Sequence, residues 1–158
     1  MEKDRASKAR ELFKSGYNCS QALTLAFSDL TLIDEKTILQ LSSSFGGGMG
    51  RMREVCGAVS GMFIIAGLLY GYDRPDDYEG KKEHYRRIQQ LAEEFKKLNG
   101  SIICRELLNL KVADNSFIPE HRTDSYYKKR PCAEIVYDAA LILENYIKEN
   151  PIINKVGK

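Results

Sequence analysis

Tryptophan is absent and histidine occurs only twice, as His84 and His121, which leaves no basis for a His-rich zinc enzyme. An excess of charge is also missing. Lys+Arg 24 against Asp+Glu 22 leaves a formal charge of +2, so neither nucleic acid nor an anionic membrane is expected as the main partner. The longest apolar run, residues 55–70 (VCGAVSGMFIIAGLLY), is diluted by glycine and shorter than the ~20 residues that cross a bilayer. It reads as a buried central helix. The chain opens on the charged Met1-Glu2-Lys3-Asp4-Arg5 with no apolar run behind it, so no secretory signal or acid-free transit peptide is expected. The expected compartment is the cytoplasm, where ordinary thiols stay reduced. Repeats, low-complexity tracts and Pro-rich linkers are lacking too. The expected organisation is therefore one domain over residues 1–150 with a tail at 151–158.

What the chain does have is helical periodicity. Residues 3–15 carry Ala6, Ala9, Leu12 and Phe13 at helical spacing and stop at Gly16. Asn18 is placed to cap a second helix over 19–30, and Asp34 a third over 35–44. Phe45-Gly46-Gly47-Gly48-Met49-Gly50 cannot continue a helix, because its glycines lose too much backbone entropy. The apolar helix over 55–70 follows. Its glycines Gly57 and Gly61, then Gly67 and Gly71, leave faces without side chains, so neighbours can approach closely and the helix belongs at the middle. Pro75, followed by Asp76 and Asp77, opens a long charged helix that runs to Leu98 and ends at Asn99-Gly100. Ser101 caps another helix over 102–110, residues 111–130 are polar and irregular, and Pro131 opens the last helix, 132–148. The expected fold is an all-α bundle of about six or seven helices around the glycine-rich apolar one.

Cys19, Cys56, Cys104 and Cys132 each fall in the first turn of an expected helix. A helix N-terminus offers unpaired N–H groups and a partial positive charge, both of which stabilise a thiolate. The thiol pKa there is expected below the free value of ~8.5. The thiolate is the species that attacks disulfides and binds metal. No two of the cysteines are close in sequence, which excludes CxxC thioredoxin chemistry, paired zinc knuckles and the CxxCH attachment of haem. Four cysteines acting together require a fold that gathers four helix ends; cysteines acting as small core hydrophobes do not.

The stretches Gly16-Tyr17-Asn18-Cys19-Ser20-Gln21-Ala22, Gly46-Gly47-Gly48-Met49-Gly50 and Cys56-Gly57-Ala58-Val59-Ser60-Gly61 resemble the C_GCAxxG_C_C family of redox-active proteins. Cys104-Arg105-Glu106-Leu107 and Cys132 complete the resemblance, which spans about residues 8–143. One departure is that Val55, not Gly, precedes Cys56; the CGAxxG core is intact. The chain also looks like the cysteine-bearing part of split-Soret cytochromes, which implies an iron–sulfur cluster. Their haem motif is missing here, so haem does not carry over. The family resemblance implies joint redox action of the four cysteines.

The loop over residues 45–50 lacks both a preceding strand and a GK[ST] sequence, so no nucleotide is expected. Its small residues, Gly47, Gly48 and Gly50, together with Gly57, are expected to let backbone amides approach the sulfur of Cys56, or an anion or cluster beside it. Arg51 and Arg53 flank the loop and can lower a thiol pKa. His84 is expected to be solvated. His121, Glu106 and Glu134 are secondary candidates for proton transfer or ligation.

The leading expectation is a redox protein whose four cysteines hold an iron–sulfur cluster or another metal, or cycle between dithiol and disulfide. It would act with a redox partner protein or a disulfide substrate. The alternative is a non-catalytic zinc-binding or helical interaction module. Self-association through the glycine-bearing helix or the long charged one is left open.

Overall fold

The computed structural model describes residues 4–110, 114 and 116–152. Lys3, parts of the polar stretch and the tail from residue 153 lie outside the described residues. Among those described there are eight α-helices, one 3-10 turn and no strand.

Helix α1 (Arg5–Lys14) is capped by Asp4, whose carboxylate accepts the Ser7 N–H at 2.8 Å. Helix α2 (Cys19–Ala26) is capped by Asn18 in a reciprocal capping box with Gln21. It ends at Ala26 rather than Leu30, and Ser28–Leu30 form the 3-10 turn. The reason is competition for carbonyls. The Ser28 hydroxyl donates to Leu25 O at 2.9 Å and the Thr31 hydroxyl to Ser28 O at 2.8 Å. Helix α3 (Glu35–Ser43) is capped by Asp34 as expected.

Helix α4 (Gly57–Tyr70) begins two residues later than the apolar run, because Val55 is extended and bridges antiparallel to Ile103. Helix α5 (Tyr78–Asn99) begins after Pro75, not at it. Asp77 caps it by accepting the Gly80 N–H at 2.9 Å, and Gly100 ends it in the left-handed region at φ 87°. Helix α6 (Cys104–Leu107) is a single turn instead of a helix over 102–110. Ser101 does not cap it; its hydroxyl accepts the Ile103 N–H and donates to the Glu106 carboxylate. Helix α7 (Asp124–Lys129), capped by Thr123, lies in the stretch expected to be irregular and accounts for the extra helix. Helix α8 (Cys132–Glu149) follows Pro131.

One core holds these helices together, with Phe13, Phe27, Met62, Ile65, Phe95 and Leu143 shut off from solvent. Helix α4 packs against α2, α5 and α8, while α1 lies on α2 and α8. The close approach of α2 to α4 depends on missing side chains. A Cβ on Gly61 would stand 3.1 Å from Ser20 O and 3.3 Å from Leu23 Cβ. That glycine face is therefore covered within the chain. Gly67 plays no such part, since a Cβ there would meet nothing nearer than the His84 ring at 4.0 Å. His84 is buried rather than solvated; the Arg87 guanidinium donates to its Nδ1 at 3.0 Å. Burial, then the Arg87 charge, lower the pKa of the imidazole. No helix among the described residues is long and apolar enough to cross a membrane.

Asn18 caps α2 and its amide also donates to Ser43 O at 3.2 Å, joining the start of α2 to the end of α3. Replacing Asn18 by Ala is expected to lower stability by about 1–2 kcal/mol, read by chemical denaturation. An unchanged midpoint would remove the cap from the account.

Candidate functional site

The four cysteines occupy four helix starts. Cys19, Cys104 and Cys132 are the first residues of α2, α6 and α8, and Cys56 is the N-cap of α4. All four are free thiols; Cys56 and Cys104 are buried, Cys19 and Cys132 partly exposed.

Local backbone structure brings them together. The segment before α4 runs antiparallel to the segment before α6. Cys56 N–H donates to Ile102 O at 2.8 Å and Cys104 N–H to Glu54 O at 2.6 Å, which sets the second cysteine beside the third. The first and fourth are joined by Arg122. Its guanidinium donates to Phe13 O at 3.0 Å and Tyr17 O at 3.1 Å, and lies over the Phe13 ring at 4.2 Å and the Tyr126 ring at 5.0 Å. The polar segment before α8 is thereby tied to the turn before α2.

Between these pairs runs the glycine loop. Gly47, Gly48, Met49, Gly50 and Arg51 are five successive residues with positive φ, between 60° and 74°, and Arg53 follows at 61°. Three non-glycine residues in this region cost about 1 kcal/mol each or more. The turn wraps tightly against the third cysteine, since a Cβ on Gly48 would stand 2.6 Å from Cys104 Cβ; at the start of α4, a Cβ on Gly57 would stand 3.3 Å from Cys19 Cβ. The loop amide that reaches a sulfur is that of Gly47, and the sulfur is Cys19, not Cys56 as expected. Gly50 is exposed and touches no sulfur; it lines only the outer cleft.

A small cavity of about 20 Å³ is lined by all four cysteines together with Gly57, Leu107, Leu108 and Ile135. Cys19, Cys104 and Cys132 also line a larger cleft of about 310 Å³, walled by Arg51, Arg53, Arg122 and Arg130. His121, Glu106 and Glu134 line neither, and each carboxylate is already engaged, Glu106 by Ser101 and Glu134 by Arg10.

The thiols do not share one ionisation state. The Cys19 pKa is lowered to about 6, first by the hydrogen bond from the Cys132 thiol, then by the Gly47 amide and the Arg122 charge. The Cys132 pKa is raised, because its thiol donates to the Cys19 sulfur and because it is buried. Burial, then the Cys19 charge, also raise Cys56, despite the Val59 and Ala58 amides that its sulfur receives. Burial raises Cys104 too, partly offset by Arg53, whose guanidinium donates to its sulfur at 3.7 Å. The expectation that all four pKa values fall is thus overturned for three of them. Thiols sharing one apolar cavity cannot all ionise, since the first thiolate repels the next.

Four thiols are the donor set of zinc and iron–sulfur sites. The spacing does not suit a lone ion, because among the described residues no three His, Cys, Asp or Glu side chains are grouped so that they could hold one. The small cavity has room for about one water.

Reasoning from sequence missed Arg122, Arg130, Glu120 and Tyr126, all of which line the larger cleft. They fall in the stretch taken as irregular. The usable signal was Arg130 standing just ahead of Pro131-Cys132.

A family model described as "Putative redox-active protein (C_GCAxxG_C_C)" matches residues 17–146 and so includes all four cysteines. No curated protein and no solved structure matches the chain.

The lowered Cys19 pKa has a direct readout. Alkylation at Cys19, followed by peptide mass spectrometry, is expected to rise with pH to a plateau with a midpoint of about 6. Below the midpoint the rate falls roughly tenfold per pH unit as the thiolate is protonated. A midpoint near the free-thiol value of ~8.5 would contradict the geometry.

Proposed function

Because the chain belongs to the C_GCAxxG_C_C family, whose description is of redox-active proteins, we propose that it is a dithiol–disulfide redox protein. Cys19 is the attacking thiolate and Cys132 the resolving thiol. The observation that carries this reading is that Cys19 and Cys132, the two partly exposed thiols, line both the small cavity and the open cleft. The lowered pKa of Cys19 and the raised pKa of Cys132 then set a nucleophilic sulfur beside a protonated one.

The reaction runs in two displacements. The Cys19 thiolate attacks one sulfur of a substrate disulfide, forming a mixed disulfide and expelling the other sulfur as a thiolate. That thiolate, directly or through solvent, takes the proton of Cys132. The Cys132 thiolate then attacks the Cys19 sulfur, expelling the second substrate thiolate, which is protonated by solvent. Two electrons pass from the protein to the substrate, leaving a Cys19–Cys132 disulfide and two substrate thiols. A cellular dithiol reductant returns the protein to its starting state. Such a cycle belongs in a thiol-reducing compartment such as the cytoplasm.

The protein's own groups have distinct parts. The Gly47 amide and Arg122 stabilise the Cys19 thiolate before attack. The remaining wall, with Cys56 and Cys104 buried and their pKa values raised, keeps two further thiols protonated and out of the exchange. Activity is expected above about pH 6 and lost as pH falls through that value, because the attacking group is then protonated.

A second reading is favoured by one observation, that all four cysteines line a single cavity. Cys19, Cys56, Cys104 and Cys132 would then hold an iron–sulfur cluster, which supplies one-electron transfer.

Two measurements decide between them. With a small disulfide reagent, Cys132→Ser is expected to accumulate a mixed disulfide at Cys19, whereas Cys19→Ser is expected to form none at Cys132. Equal trapping in both variants would overturn the assigned roles. Anaerobic purification is expected to yield a colourless protein with four titratable thiols; stoichiometric iron and acid-labile sulfide would overturn the dithiol reading in favour of the cluster.

A further inference from the structure

The walls of the 310 Å³ cleft above the sulfurs are unevenly charged. Four guanidinium groups, those of Arg51, Arg53, Arg122 and Arg130, line it against one carboxylate, that of Glu120. Two of the four are matched. Arg130 pairs with Glu120 at 2.7 Å, and Arg51 pairs at 3.3 Å with Asp114, which is not itself in the lining.

The other two are held by neutral groups. Arg53 donates to the Asp114 carbonyl and to the Cys104 sulfur, and Arg122 to the carbonyls of Phe13 and Tyr17. Neither forms an ion pair with a carboxylate among the described residues. Arg53 is buried, and Arg51 and Arg130 keep only 13% and 14% of their side-chain surface exposed. The cations are therefore fixed in place before any ligand arrives. Even with the Cys19 thiolate counted, positive charge exceeds negative.

A guanidinium fixed by carbonyls keeps its full charge, and the N–H groups those carbonyls do not use, without an anion of its own; such a group can receive a carboxylate. The cleft volume is at the lower end of small-molecule pockets, which suits a small disulfide. Leu108, Phe117 and Pro119 give it an apolar side against which an alkyl chain can lie.

We infer that the substrate of this site is a small anionic disulfide, one whose carboxylates bind the arginine wall while its sulfur–sulfur bond lies against Cys19. The inference rests on the dithiol reading above and names its substrate class. The chemistry is the two-step exchange already given: the protein dithiol is oxidised, the substrate disulfide is reduced, and two carboxylate-bearing thiols leave. The arginines act by binding and orienting the substrate and by stabilising the thiolates it releases.

The test uses the reduced full chain and three aliphatic disulfides: dithiodiglycolate, which is anionic; hydroxyethyl disulfide, which is neutral; and cystamine, which is cationic. Each oxidation rate is divided by that of the same disulfide with mercaptoethanol, so that intrinsic reactivity cancels. The normalised rates are expected to fall in the order anionic, neutral, cationic, with roughly tenfold between the first two at low salt and less at high salt. Arg53→Gln and Arg51→Gln are expected to lower the anionic-to-neutral ratio several-fold, and Arg53→Lys and Arg51→Lys to retain most of it. Equal normalised rates for all three disulfides would overturn the substrate class and leave the dithiol reading standing. A ratio unmoved by either glutamine variant would overturn the assignment to this cleft. Failure of all three to oxidise a protein whose four thiols still titrate would overturn the dithiol reading itself.

Discussion

A sulfur anion inside an apolar bundle persists only where its charge is met at close range, and this requirement organises the cysteine end of the molecule. The Cys19 thiolate is met by the Cys132 thiol, the Gly47 amide and the charge of Arg122. The same anion, with burial, holds the neighbouring thiols protonated. One cavity thus contains both a nucleophile and the proton-bearing sulfur that can follow it. All four cysteines stand at helix N-termini, yet burial raises Cys56 and Cys104, and the hydrogen bond to Cys19 together with burial raises Cys132. Close partners decide which sulfur ionises; the helix ends alone do not.

The scaffold follows from the need to bring four chain segments to one place. The capping box at Asn18 fixes where α2 begins, and the glycine face of α4 lets α2 lie against it. The antiparallel contact before α4 and α6 aligns Cys56 with Cys104. Around them the left-handed turn from Gly47 to Arg51 closes the remaining gap, with Gly48 so near Cys104 that no side chain could take its place. Backbone strain at Met49, Arg51 and Arg53 is sustained here because the turn is bonded on both sides. Arg51 N–H donates to Gly46 O, Arg53 N–H to Gly47 O and Glu54 N–H to Gly48 O.

Much of this was legible in the sequence, and the reasons are local. Asn18 and Asp34 announce their helices because a short polar side chain ahead of an apolar-periodic segment has one main use. Cys19 could be placed at a helix start by the Asn18 cap, and Cys56 and Cys132 by the glycine loop and by Pro131 ahead of them. Where the reading failed, a tertiary contact outweighed the local pattern. Ser101 looks like a cap but serves Ile103 and Glu106, because Ile102 and Ile103 are drawn out to meet Cys56 and Val55. Pro75 lost to Asp77, the better acceptor. His84 carries the sequence signature of a solvated helix residue, and only the fold shows Arg87 and Tyr72 packed on it. The arginine wall was invisible for a related reason. Arg122 and Arg130 lie far along the chain from Arg51 and Arg53, and nothing short of the fold reveals that they share one cleft.

The central claim is that Cys19 and Cys132 form the reactive pair within a shared cavity. Disulfide mapping by peptide mass spectrometry, after oxidation of the reduced protein with one equivalent of a disulfide oxidant, addresses it most directly. The account predicts a single intramolecular link between Cys19 and Cys132, with Cys56 and Cys104 recovered as thiols. A link between Cys56 and Cys104, or bonds formed only between separate molecules, would contradict it.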